Sequence, residues 1–328
     1  MDTRELLEKI CHLPIIADSL ADEILAGNFS SIFKGQGIEF DEVRHYQMGD
    51  DIRSIDWNAS ARFGSPFVKM YREERDLTML LLLDISASMR RTGWMSAVDQ
   101  CAYINPYEQA LLATALLAFS AAKNDQRVGA LLFDREIDRV FPPRKGRHNI
   151  MTLIGGALQY QQAALPAGRG QKKTSRQPGS NLTEALKGAG RLLKRRSLII
   201  IISDFFSANW ENELAKLCRE HDVFALRIST PADINMPEWG LFTMEDPETG
   251  LNISAPMGFS SFRDAWLHWH NERAEAWTSA CRRCGAAHLE LSTADDAAAA
   301  LFRFFSINPS LRPDSKGRPR KKRGYGLT

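Results

Sequence analysis

Residues 75–90 read Arg-Asp-Leu-Thr-Met-Leu-Leu-Leu-Leu-Asp-Ile-Ser-Ala-Ser-Met-Arg, and the reading of the whole chain turns on them. The apolar run 78–83 is too short to cross a membrane and has the length of a fully buried central strand. It stops at Asp84, and Ser86 and Ser88 follow on alternate residues. A carboxylate and two hydroxyls thereby meet at the carboxyl end of a buried strand, the end at which open α/β sheets bind ligands. Hard oxygens with a single charge suit Mg²⁺ or Mn²⁺, ions that keep waters and accept a ligand from outside. The competing reading is a strand-to-helix turn in which Asp84 or a serine only caps the next helix.

Downstream, apolar runs alternate with helical patterns. A helix over 108–122 is nearly all alanine and leucine, which predicts burial on most sides. A strand over 127–133 turns tightly into one that ends at Phe141-Pro142-Pro143, and the prolines place it at a sheet edge. Helices are expected over 148–162, 181–193 and 210–220, with strands over 197–203 and 223–228. Residues 231–256 read as an inserted hairpin, followed by a long helix over 262–283, a strand over 288–291 and a helix over 294–305. The pattern predicts an α/β fold: a doubly wound, mostly parallel six-stranded sheet with one antiparallel edge strand.

Upstream, residues 1–28 carry apolar residues at helical spacing, whereas 29–75 are rich in Gly, Asp and Arg and read as a small β-rich module of short strands. Its charges (Glu39, Asp41, Glu42, Arg44, Asp50, Asp51, Arg53, Asp56, Arg62) interleave in sign. That favours an internal ion-pair and turn network over a binding face. The expected organisation is therefore an N-terminal part over 1–75, the α/β domain over 76–306, and a basic tail over 307–328 that reads as disordered. The tail's run 316–323 offers at most a weak nucleic-acid contact, and its simpler reading is a solubilising extension.

Composition is that of a globular protein, 44% hydrophobic and 25% charged over 328 residues, and the net charge of +2 gives no general case for nucleic-acid or membrane binding. Five scattered cysteines argue against a disulfide framework and for a reducing compartment. Cys281-Arg-Arg-Cys284 has no second pair to complete a zinc site and falls at a helix end, so it reads as plain cysteines. No secretory leader or spanning run is legible, and the expected localisation is cytoplasmic.

Two further segments should reach the edge marked by Asp84. Gly179-Ser180-Asn181 puts a hydroxyl just before a helix, and the run 199–204 puts Ser203 and Asp204 at the end of what should be the adjacent strand. Asp84, Ser86, Ser88, Ser180 and Asp204 then form a candidate Mg²⁺ or Mn²⁺ site, with Asp204 placed to act through water. Only two of these five groups are charged, so the ion keeps positive charge and favours a carboxylate from outside.

Asp84-x-Ser86-x-Ser88, the Gly-Ser180-x-Leu-x-x-Ala-Leu loop and Ser203-Asp204 resemble the metal-ion-dependent adhesion site of von Willebrand factor A domains. Ser180 stands where that motif usually has threonine, and Thr183 aligns less well. The segments 37–44, 46–51, 53–57, 61–62, 68–69 and 73–75 closely resemble the signature of the bacterial domain-of-unknown-function 58 family, over roughly residues 25–306. The resemblance implies an adaptor working beside a MoxR-type AAA+ ATPase in protein maturation or chaperone-like remodelling. It implies a partner class and a site, with no reaction attached. The sequence has no Gly-x-x-x-x-Gly-Lys-Ser/Thr loop, so the ATPase would act in trans.

The alternative is an aspartate-nucleophile, Mg²⁺-dependent phosphohydrolase, with Asp84 attacking phosphate, Ser203 binding it and Asp295 and Asp296 holding the ion. That chemistry wants a general acid two residues after the nucleophile, where this chain has Ser86. Asp295 and Asp296 read more simply as acids of the last helix's first turn.

Overall fold

The computed structural model describes residues 39–47, 55–72, 77–90, 105–162, 181–231, 241–245, 252–256 and 258–307, together with Leu13. The rest of the helical spacing over 1–28, residues 163–180 (Ser180 among them), residues 246–251 of the expected hairpin and the tail lie outside those residues. Strand β1 (Glu39–His45) pairs antiparallel with β2 (Phe67–Arg72), with a bulge between Phe40 and Glu42. Between them lies helix α1 (Trp57–Phe63), where the sequence reading expected only short strands.

The helix escapes periodicity because none of its residues is buried; Trp57 and Phe63 are exposed. Its ends define it instead. The Asp56 carboxylate accepts from the amides of Asn58 and Ala59, and Gly64 closes the helix in the left-handed region at φ 71°. Asp56 thus caps the helix, and Arg44 donates to the His45 carbonyl. The side chains of Glu39, Asp41, Glu42, Asp50, Asp51 and Arg53 lie outside the described residues.

The leucine run becomes β3 (Thr78–Asp84), in which Leu80, Leu81, Leu82 and Leu83 are wholly buried. Burying each contributes about 2 kcal/mol of hydrophobic stabilisation. Helix α2 (Pro106–Lys123) follows, opened by a capping box between Asn105 and Glu108 and by proline in its first turn. It is buried on every side from Pro106 to Ala121, because the sheet lies on one flank and two other helices on the other. Strand β4 (Arg127–Phe133) then turns into β5 (Ile137–Arg144), the antiparallel edge strand. Gly129 sits where β5 presses closest; a Cβ there would lie 2.8 Å from the Phe141 carbonyl oxygen.

Helices α3 (Arg147–Gln162) and α4 (Leu182–Leu192) lead to β6 (Leu198–Ser203), and α5 (Glu211–Glu220) to β7 (Asp222–Ser229). Strands β8 (Leu241–Glu245) and β9 (Asn252–Pro256) form the expected hairpin. Helix α6 (Ser260–Cys284), β10 (Ala287–Ser292) and α7 (Ala297–Ile307) complete the described chain.

The main sheet runs in the order β10-β7-β6-β3-β4-β5, parallel throughout except for β5. One core packs α2, α3 and α7 on one face, with Leu13 added, and the other packs α4, α5 and α6 on the opposite face. The fold is therefore a six-stranded, doubly wound α/β sheet. From β3 the chain first builds outward through β4 to β5, then crosses back to lay β6 on the other side of β3. The carboxyl ends of β3 and β6 consequently diverge into loops on opposite faces, the switch point where such sheets open a crevice.

Asn105 ties this region to the start of α2, since its carboxamide accepts from the Tyr107 amide and donates to the Arg90 carbonyl. Replacing Asn105→Ala is expected to lower the unfolding free energy by about 1 kcal/mol, the usual loss for an N-cap, as read from urea denaturation.

Candidate functional site at the carboxyl ends of the central strands

Alternation along each strand decides which groups meet at the switch point. Leu80 and Leu82 face the core under α4, α5 and α6, so Asp84 faces that side as well; Ile199 and Ile201 do the same for Ser203. The two lie at the same level, one residue beyond the paired Leu83 and Ile202. The Ser203 hydroxyl donates to Asp84 Oδ2 at 2.6 Å, and the Ser86 amide donates to Oδ1 at 2.9 Å. Both carboxylate oxygens are thus held in place, and Asp84 is wholly buried.

The loop after Asp84 folds back on itself. The Ser86 and Ser88 hydroxyls hydrogen-bond at 2.9 Å, and Arg90 donates to the Ser86 carbonyl at 3.4 Å. Both serines are buried, as is Asp204, whose Oδ1 accepts from the Phe206 amide at 3.0 Å. After Asp204 the backbone takes unusual turns: Phe205 and Asn209 adopt left-handed φ of 55° and 62°. The Phe205 ring packs against Trp210 and Trp277, and its amide donates to the Ser203 hydroxyl, interactions that offset the strain.

The structure therefore brings Asp84, Ser86, Ser88 and Asp204 to one edge. Ser180 lies outside the described residues; its neighbour Asn181 caps α4 and donates its amide to the Asp134 carbonyl at 2.8 Å, at the carboxyl end of β4. Thr183 is turned elsewhere, donating to the Asn209 carbonyl.

Electrostatically, two acids crowd this edge. Burial, then the nearby Asp204 carboxylate, pushes the Asp84 carboxyl up to about 7 against the pull of its hydrogen bonds from Ser203 and Ser86. Asp134, whose Oδ1 is buried without a hydrogen-bond partner among the described residues, is raised too, by burial first, with Arg90 and Arg135 opposing. Among the described residues no three His, Cys, Asp or Glu side chains converge as a metal cluster, so an ion held here would rely on hydroxyls and two carboxylates. That donor set is hard and low in charge, the chemistry of Mg²⁺ or Mn²⁺.

The remaining candidates lie elsewhere. Asp295 and Asp296 sit beyond β10, three strands from β3, and both accept backbone amides: Asp295 from Ser292, Asp296 from Ala298 and Ala299 at the start of α7. Cys281 is buried in the core, where burial pushes its thiol up to about 12, far from the thiolate that binds metal or does redox work. Cys218 is shifted to about 12 in the same way.

Two basic groups beside the edge went unnoticed in the sequence. Arg227 follows Val223 and Ala225 on the inward face of β7 and lies in register with Ser203. A lone charge at an inward position of an apolar strand was a legible signal. Arg273 reaches the same edge from α6, 190 residues from Asp84 less one, and no local pattern announces such a contact.

Fold and site together define a class: a doubly wound α/β protein with an acidic, hydroxyl-rich edge at its switch point. The chain belongs to the family described as protein of unknown function DUF58, whose model matches residues 42–276. It is 29% identical over 310 residues to an uncharacterized protein of Mycobacterium tuberculosis, a match covering 93% of this chain and 90% of that one. Uncharacterized protein YeaD of Bacillus subtilis is 24% identical over 151 residues, 46% of this chain and 34% of YeaD. Among solved structures, an aerotolerance-related membrane protein from Bacteroides fragilis, crystallised with multiple mutations to serines, aligns at 13% identity with a TM-score of 0.38. That alignment covers 69% of this chain and 94% of the other, at a similarity too low to carry an argument. In this chain no described helix is long and apolar enough to cross a membrane.

The Asp84 shift has a sign that can be measured. Its folded value is raised from 3.8, so between about pH 4 and 7 the native state holds a proton that the unfolded chain has released. With EDTA present, stability is expected to fall as pH rises across that window. In Asp84→Asn the corresponding slope in urea midpoints should be shallower.

Proposed function

We propose that this protein is a non-enzymatic adaptor of von Willebrand factor A type, which grips an acidic side chain of a partner protein through a Mg²⁺-dependent site. Asp84, Ser86, Ser88 and Asp204 would hold the ion, with Ser180 as the fifth candidate. Bound there, Mg²⁺ (or Mn²⁺) supplies positive charge and an open coordination position for a carboxylate from outside. One observation carries the reading: a wholly buried aspartate, set beside a second aspartate and flanked by paired serine hydroxyls, sits at the switch point of the sheet. Such a carboxylate is costly in the absence of a compensating cation.

The chain's own residues would then orient and exclude. Ser203 and the Ser86 amide fix the Asp84 carboxylate; the loop from Asp204 to Trp210, braced by aromatic packing, walls the edge. Partner capture fits this arrangement better than phosphoryl transfer. Ser86 occupies the place of a general acid, and Asp295 and Asp296 are engaged with backbone amides. The partner class proposed is a MoxR-type AAA+ ATPase, or a client protein that it remodels.

The test is a pull-down from native lysate with tagged wild type and Asp84→Ala, each with Mg²⁺ or EDTA, read by mass spectrometry. An AAA+ ATPase or another acidic partner retained only by wild type with Mg²⁺ is the expected result. Identical partners in all four conditions would move binding to another surface.

A further inference from the structure

We propose that Arg227 and Arg273 form an oxyanion-binding subsite at the carboxyl edge of β6 and β7, taking a carboxylate or a phosphate. The inference does not depend on the metal reading, because neither arginine belongs to the acidic set.

Register places Arg227 beside Ser203, itself beside Asp84, so the arginine stands two strand spacings, roughly 10 Å, from the aspartate on the same face. Only 7% of its surface is exposed. An arginine carries five N–H donors and no acceptor, yet Nη1 of Arg227 has no hydrogen-bond partner among the described residues. Its guanidinium lies over the Trp277 ring at 5.8 Å, a contact that satisfies none of those donors. Glu290, in register on the far side, forms no ion pair with it.

Arg273 arrives from α6 and sits against the rings of Phe206 and Trp269, 4.6 and 5.0 Å from their centroids. Its Nη2 donates to the Phe205 carbonyl at 3.2 Å, which fixes the guanidinium next to the loop that carries Asp204. Arg273 also lies close enough to Arg227 to feel its charge. Burial first and Arg227 next lower its affinity for a proton, while Asp204 pulls the other way. Among the described residues no carboxylate lies within ion-pair distance of either guanidinium.

Two neighbouring cations, one buried with a donor unsatisfied, are unfavourable unless something negative joins them. An ion or ligand that supplies the missing acceptors is one way in which folded proteins satisfy such groups. Guanidinium forks match an oxyanion with two or more acceptor oxygens in a way that a lysine pair would not. A carboxylate and a phosphate share this chemistry.

Thermal unfolding of the whole chain, with EDTA throughout, tests the proposal in chloride, inorganic phosphate and acetate at matched ionic strength. Wild type is expected to show a saturable rise in Tm with phosphate, acetate or both, and the anion that acts identifies the ligand class. Arg227→Met and Arg273→Met should each weaken that response by about tenfold or more, as loss of a charge-assisted pair does. Asp84→Asn should keep it, which separates this subsite from the metal site. In chloride alone Arg227→Met should be at least as stable as wild type, since an uncompensated buried charge is removed; should it fail to fold, the half-buried Arg273→Met gives the same comparison. No anion-specific rise in wild type, or an equal rise in the arginine variants, overturns the proposal.

Discussion

The burial of Asp84 is the constraint on which the rest depends. A strand of consecutive, fully buried leucines must occupy the middle of a sheet covered on both faces, and its last residue is an acid wholly buried with them. Everything near that acid answers its charge. Ser203 donates from the next strand, the Ser86 amide donates from the loop, and α2 is anchored by Asn105 to the same loop. These donors orient the carboxylate without neutralising it, and the second acid, Asp204, adds to the deficit. A sheet that spends hydrophobic stabilisation on holding two acids in this state is organised around a cation or a proton.

Seen along the edge, the same face of the sheet carries Asp84, Ser203, Arg227 and Glu290 in successive strands. Acid and base alternate across a row only a few strand spacings wide, with Ser203 as the neutral element between them. On the two proposals together, the arrangement suits a partner surface that presents one negative group to the cation and another to guanidinium. Aromatic rings from the loop after β6 and from α6 form the floor under Arg273, where they exclude water and strengthen any charge pairing.

Much of this is legible in the sequence. The strand at 78–84 announced itself by length and composition, and the prolines at 142 and 143 marked the antiparallel edge strand. Alanine and leucine filling every position of 110–118, bar Thr114, foretold a helix buried on all sides. The pairing of Asp84 with Asp204 followed from two apolar strands that each end in an acid. What stayed hidden has physical reasons. Helix α1 exposes its aromatics and so lacks periodicity, being specified by Asp56 and Gly64 instead. Arg273 meets the site only through the docking of α6, a tertiary contact that no window of sequence contains. Arg227 was readable and overlooked, because a single charge in an apolar strand is easily averaged away. The upward shift of the Asp134 carboxyl also depends on tertiary placement, since it lies where β4 meets the start of α4.

The central claim is that the acids and serines at the end of β3 and β6 hold a divalent cation. Crystals of the protein grown with Mn²⁺, measured at a wavelength where manganese scatters anomalously, test it most directly. The account predicts one strong anomalous peak at bonding distance from Asp84, Ser86 and Ser88, with Asp204 beside it. No peak at that edge, while Asp84 keeps its bonds to Ser203 and Ser86, would contradict it and leave the loop as a structural turn.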